Sequence, residues 1–165
     1  MAVERWVTGV TSGTWTSAFG VEAASLPNGS AVNSSVSITA GSSTAGYDMF
    51  ADLALQSVNA SIASTVAPYL GVYIFPLNAD GTSYGDGTIS TSTGGTAIIP
   101  KQQYYAGALS ISTSSSSAAA GLPLGQIDRM VIPPRAFKFC IYNQTGATLP
   151  TSVTMSYQTY NRQVS

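Results

Sequence analysis

The chain has 165 residues, of which 44% are hydrophobic and only 8% charged. Six Lys and Arg against seven Asp and Glu leave a formal net charge of −1, so no basic stripe can neutralise a run of phosphates, and nucleic-acid binding has no electrostatic footing. The chain lacks histidine and carries one cysteine, Cys140, which removes Ser-His-Asp and Cys-His catalysis, an intramolecular disulfide and a His/Cys zinc site.

This length suits one domain that encloses its own core without disulfide or metal. With so few charges, solubility rests on Ser, Thr and amide groups, and weak self-repulsion favours assembly with itself or with a partner. Met1 to Val10 contains Glu4 and has no apolar signal core, and no run approaches 18 apolar residues, so neither export by that route nor membrane insertion is expected. The sequons at Asn28, Asn33, Asn59 and Asn143 are read as chance in a Ser/Thr-rich chain.

From Trp6 to Gly46 the sequence is mostly Gly, Ser, Thr, Ala and Asn, punctuated by Trp6, Trp15, Phe19 and Leu26. Val32, Val36 and Ile38 share a parity and predict a short strand. Residues 1–46 read either as an arm that becomes ordered against another surface or as an edge strand beginning near Trp6. Residues 47–165 read as the sandwich domain itself.

Between Tyr47 and Val58, Met49, Ala51, Leu53 and Leu55 alternate with Asp48, Asp52 and Gln56, the pattern of a strand with one wet face, although the Ala and Leu content also allows a helix. Tyr69 to Phe75 is apolar on both parities and stops at Pro76, which predicts a strand buried on both sides. The cluster from Asn78 to Gly87 holds two Asp-Gly pairs and predicts a long loop. Thr96 to Ile99, Tyr104 to Ile111 and Gln126 to Ile132 predict further strands, the last two separated by the low-complexity stretch Ser112 to Ala120.

The C-terminal third carries the clearest alternation. Phe137, Phe139 and Ile141 share one parity, Lys138, Cys140 and Tyr142 the other, and Asn143 to Gly146 supplies a turn. Val153, Met155 and Tyr157 then alternate with Thr154, Ser156 and Gln158, which predicts an antiparallel pair whose apolar residues share one core face. Six to eight such strands and no strong helix predict an all-β, antiparallel sandwich, of which the jelly roll is one form.

Three stretches carry a resemblance: Tyr73-Ile74-Phe75-Pro76 with the acidic glycine loop Asp80 to Gly87; Ile132 to Phe139 leading into Tyr142 to Gly146; and Tyr157 to Arg162. In that order they resemble small virion proteins of tailed bacteriophages, of the capsid decoration or cement type. Where that family has glycine before its Lys-Phe pair, this chain has Arg135-Ala136. The resemblance implies a jelly-roll-like sandwich, made in the host cytoplasm, that sits on the outer surface of the capsid and bridges major capsid protein subunits, associating with itself as a dimer or trimer. The alternative is a receptor- or carbohydrate-binding module of a tail or fibre, for which exposed aromatics beside Asp, Asn and Gln are the useful feature.

Catalytic candidates are few. A Ser-Lys dyad would depend on Lys101 or Lys138, neither beside a nucleophile motif. Asp48 and Asp52 share a strand face and form the one carboxylate pair to weigh for glycoside hydrolysis, against the plainer reading of a solvated face. Asp80 and Asp86 could offer oxygens to Ca²⁺, but Asp-Gly is foremost turn chemistry, and Cys140 reads as a small residue on a sheet face. The chain is therefore read as a non-enzymatic protein without cofactor or metal. Its interface candidates are Trp6, Trp15, Phe19, Tyr104 and Tyr105, of which the adjacent tyrosines cannot both enter one core.

Overall fold

In the computed structural model the described residues are 4–8, 15–39, 42–43, 46–57, 68–85, 87–111 and 125–164, with side chains described for 15–39, 48–55, 68–85, 87–111 and 125–160. Among the described residues eleven strands are formed: β1 (Glu4–Thr8), β2 (Thr16–Phe19), β3 (Ala31–Asn33), β4 (Ser42–Ser43), β5 (Gly46–Tyr47), β6 (Phe50–Ser57), β7 (Tyr69–Pro76), β8 (Tyr105–Ser110), β9 (Gly125–Val131), β10 (Phe137–Gln144) and β11 (Val153–Val164). The one helical element among the described residues is a single 3₁₀ turn, Gln102–Tyr104.

The strands form two antiparallel sheets. One has the order β1-β11-β6-β9, with β2 also on β11; the other has the order β3-β10-β7-β8. β1 pairs with residues 160–164 of β11 and β2 with residues 155–157, so the two lie along one side of β11 and serve as one interrupted first strand. β4 and β5 form a small separate hairpin. Every other connection between successive strands crosses from sheet to sheet, except that β7 and β8 are neighbours. This connectivity is the jelly roll.

Strand alternation explains the core. Ala51, Leu53 and Leu55 of β6, Leu70, Val72 and Ile74 of β7, and Phe137, Phe139 and Ile141 of β10 meet Val153 and Met155 of β11 in one buried cluster, with Tyr157 packed against it. Phe139 spans the two sheets: its ring stands edge-on to Phe137 at 5.4 Å and tilted to Tyr157 of the facing sheet at 6.1 Å.

Three expectations about elements change. β10 and β11 share a core face, but they are not an antiparallel pair. They lie in opposite sheets, because the connection between them is pinned to the loop after β2: Asn143 donates to the carbonyls of Leu26 and Ala147 at 2.8 Å, and Leu149 is buried. Thr96 to Ile99 forms no strand. Thr96 alone bridges Ala31, and Ile98 folds back onto the Thr96 carbonyl at 2.8 Å. Met49, expected inside, precedes β6 and is 53% exposed, whereas Asp48 and Asp52 on the expected wet face are buried.

The segment before residue 47 contributes strands to both sheets, and Ala18, Phe19, Leu26 and Val32 belong to the main core. The low-complexity stretch 112–120 lies outside the described residues. At the edge where β8 and β9 approach, a side chain at Gly125 would collide with the Ser110 carbonyl, so glycine lets the two sheets close there.

Candidate functional site

β7 is buried on both faces, though its cover differs from the usual one for such a strand. Leu70, Val72 and Ile74 point into the main core. On the outer face Tyr73 and Phe75 join Ala31, Ile89 and Cys140 in a second cluster, packed by Tyr84, Tyr104 and Tyr142. The long loop between β7 and β8 supplies this lid. Asn78 donates to Ser83 Oγ at 2.9 Å and to the Gly85 carbonyl at 3.0 Å, and the Asp80 carboxylate accepts from the backbone N–H groups of Thr82 and Ser83 at 2.9 Å. Hydrogen bonds from Ser83, side chain first, and from the Thr82 backbone hold the Asp80 carboxyl down at about 2. Its oxygens thus serve the turn; Asp86 lies outside the described residues.

Beyond the lid the same outer face stays open and forms a cleft of about 330 Å³. Its floor is set by strand register: Tyr142 lies opposite Gly71, Gln144 opposite Tyr69, and Tyr73 opposite Tyr105. Ile99 and Gln102 close one side. Tyr73 and Tyr105 meet edge to face at 5.4 Å, and the Tyr69 hydroxyl lies 3.5 Å from Gln144 Oε1. Tyr69 is 38% and Tyr105 40% exposed, so two rings stand at the rim while Tyr73 lies beneath. Burial pushes the Tyr73 phenol up, and the neighbouring Cys140, Tyr105, Tyr142 and Tyr69 add to this.

A second hollow, about 360 Å³, opens at the end of the sandwich where β7 and β9 finish and β8 begins. Tyr104, Tyr105, Pro76, Pro133 and Val131 line it, with Val131 73% exposed. Nearby, the Ile132 N–H donates to the Met49 carbonyl at 3.0 Å. Tyr105 belongs to both hollows.

Of the interface candidates, Tyr104 and Tyr105 are brought together here. Tyr104 packs edge-on against Phe75 at 5.0 Å, and Tyr105 stands at the rim, so neither enters the main core. Trp15 is 39% exposed at the start of β2, on the opposite edge of its sheet. Trp6 lies opposite Arg162 in the β1–β11 register, and its side chain lies outside the described residues. Phe19 is a correction: only 1% exposed, it is a core residue and not a contact for a partner. It packs in the main core with its neighbour Ala18, beside Met155 of β11, its register partner. Sequence reading missed Tyr69, Tyr73, Tyr142, Gln102, Gln144 and Val131. The usable signal was the outward parity shared by Tyr69, Gly71 and Tyr73.

The weighed carboxylates are engaged internally. Asp52 accepts from the Arg129 N–H at 2.8 Å, Gln158 Nε2 at 2.9 Å and the Tyr160 hydroxyl at 2.8 Å; Asp48 accepts from Thr159 Oγ1 at 2.6 Å. Arg129 holds a φ of 58° where β6 and β9 shift register, and its N–H meets Asp52 across that bulge. Cys140 is buried. No group of three or more His, Cys, Asp or Glu able to hold a metal occurs among the described residues.

Comparison with known proteins gives no relative. No family model, curated protein or solved structure matches the chain. The geometry must therefore carry the functional reading.

The buried phenols also predict an alkaline limit. Burial raises Tyr73, Tyr157 and Tyr160, and for Tyr160 the hydrogen bond to Asp52 adds to it. A folded pKa above the ordinary 10.0 means the fold holds the proton more tightly than the unfolded chain does, so this stability is complete below pH 10 and is lost as pH rises above it. Melting temperature should be flat from neutral pH up to that point and then fall, with a shallower fall in Tyr160→Phe. Melts that are insensitive to alkali would contradict this.

Proposed function

We propose that the chain is a non-enzymatic structural protein that attaches to an assembled protein shell, as a capsid decoration or cement protein of a tailed bacteriophage. One observation carries the reading: the apolar end of the sandwich, where Val131 and Tyr105 stand exposed around the hollow lined by Pro76 and Pro133. A chain with 8% charge presents there a contact surface suited to burial against another protein, with aromatic and proline groups and no charged lining. The jelly roll supports the same reading, since viral shell proteins use it repeatedly, although it does so as analogy of fold. In this reading the protein bridges neighbouring major capsid protein subunits, with self-association as dimer or trimer strengthening the clamp.

Val131→Asp should test it. The residue is 73% exposed, so the fold should keep its melting temperature. Binding to purified phage heads lacking the protein should weaken tenfold or more, about 1.4 kcal/mol, because a buried unpaired carboxylate opposes docking. Wild-type protein should bind in a copy number that scales with the shell's own subunits. Failure to bind heads, or binding unaffected by Val131→Asp, would refute the proposal.

A further inference from the structure

The tyrosine cleft on the outer face of the β3-β10-β7-β8 sheet is separate in chemistry from the apolar end. We propose that it is a binding site for a neutral saccharide. Its lining combines three features that such a ligand needs and few others use together. Tyr69 and Tyr105 stand at the rim, partly exposed, where an aromatic surface can cover the apolar face of a sugar ring. Gln102 and Gln144 each offer a donor and an acceptor on one planar group, matching the paired hydroxyls of a pyranose. Among the described residues no Asp, Glu, Lys or Arg lines the cleft, so its lining favours a neutral ligand over a charged one.

The contacts within the cleft leave these groups available. At 3.5 Å the Tyr69 hydroxyl is at the outer limit of a hydrogen bond to Gln144, so an incoming hydroxyl can bond to both without displacing a strong partner. The Tyr73 ring lies over Gly71, where a Cβ would come within 3.2 Å of Tyr73 Cε2 and 3.6 Å of its hydroxyl. Glycine there lets the Tyr73 ring lie low on the floor, between the rings of Tyr69, Tyr105 and Tyr142. The volume of about 330 Å³ is near the lower end of small-molecule sites, which suits one or two sugar rings.

The test is titration of the isotopically labelled protein, followed by NMR, with glucose, galactose, N-acetylglucosamine and their β-linked disaccharides. Glucuronic acid and glucosamine serve as charged counterparts. At least one neutral sugar should give saturable shifts at tyrosine and glutamine signals, with the charged counterparts bound several-fold more weakly. Tyr69→Ala and Gln144→Leu should each weaken that binding tenfold or more while leaving the melting temperature and head binding unchanged; Val131→Asp should leave it intact. No saturable binding up to tens of millimolar, equal binding of charged sugars, or binding indifferent to both cleft variants would each overturn the proposal. Val131 lines only the end hollow and Tyr69 only the cleft, although Tyr105 borders both, so failure of shell attachment and failure of saccharide binding are distinguishable.

Discussion

Replacing Phe139 with Ala is expected to destabilise the fold by about 3 to 5 kcal/mol, the usual cost of emptying a fully buried aromatic site. Phe139 has no exposed surface and contacts aromatic rings from both sheets, Phe137 beside it and Tyr157 across the core. The cavity would therefore open between the layers, where neither sheet can collapse without shifting the other. A domain of this size has about 5–15 kcal/mol in total, so the variant would lose a large share of its stability. Urea denaturation should show a lower midpoint with an unchanged slope. A loss below about 1 kcal/mol, the range of surface substitutions, would contradict the placement of this ring.

Deleting residues 2–20 is expected to abolish folding. If those residues were an arm, the sandwich would survive and only attachment would suffer. The register argues otherwise: Glu4 to Thr8 pairs with residues 160–164, and Thr16 to Phe19 covers the same side of β11 around Met155. The truncation removes Phe19 and Ala18 from the core and leaves one side of a twelve-residue strand without its partner. Phe19 alone is worth about 3 to 5 kcal/mol on the same scale as Phe139, before the lost strand pairing is counted. Expression as an aggregate, or a soluble product without a cooperative melt, is the expected outcome. A truncated protein that melts like the full chain would show that these strands are dispensable.

How far the sequence could be read depended on whether a residue's fate was decided by its own strand. In β10 and β11 strict alternation settled which side chains point inward, and Phe137, Phe139, Ile141, Val153 and Met155 are all buried as expected. Pairing partners were not legible there, because the same inward set results whether two strands lie side by side or face each other across a core. The N-terminal region misled for a related reason: its strands are short, and their apolar neighbours come from β11, more than a hundred residues away. Asp52 looked solvated because its three donors come from Arg129, Gln158 and Tyr160, none near it in sequence. The cleft was hidden for the opposite reason. A run of apolar residues on both parities announced that β7 is covered on each face, but only the path of the 77–104 loop decides which part of the outer face is left open.

The pairing of β1 and β2 with β11 also sets an order of events in time. During synthesis these N-terminal strands emerge long before β11, the strand on which both are paired, so their sheet cannot close until β11 has been made. Most jelly-roll pairings here join strands distant in sequence, and folding dominated by such contacts is slow because loops must close before any pairing rewards them. The growing chain therefore carries unpaired strand edges low in charge, exposed to neighbouring nascent chains. Yield in the cell should depend on synthesis rate and on chaperone supply more steeply than the stability of the finished sandwich would suggest.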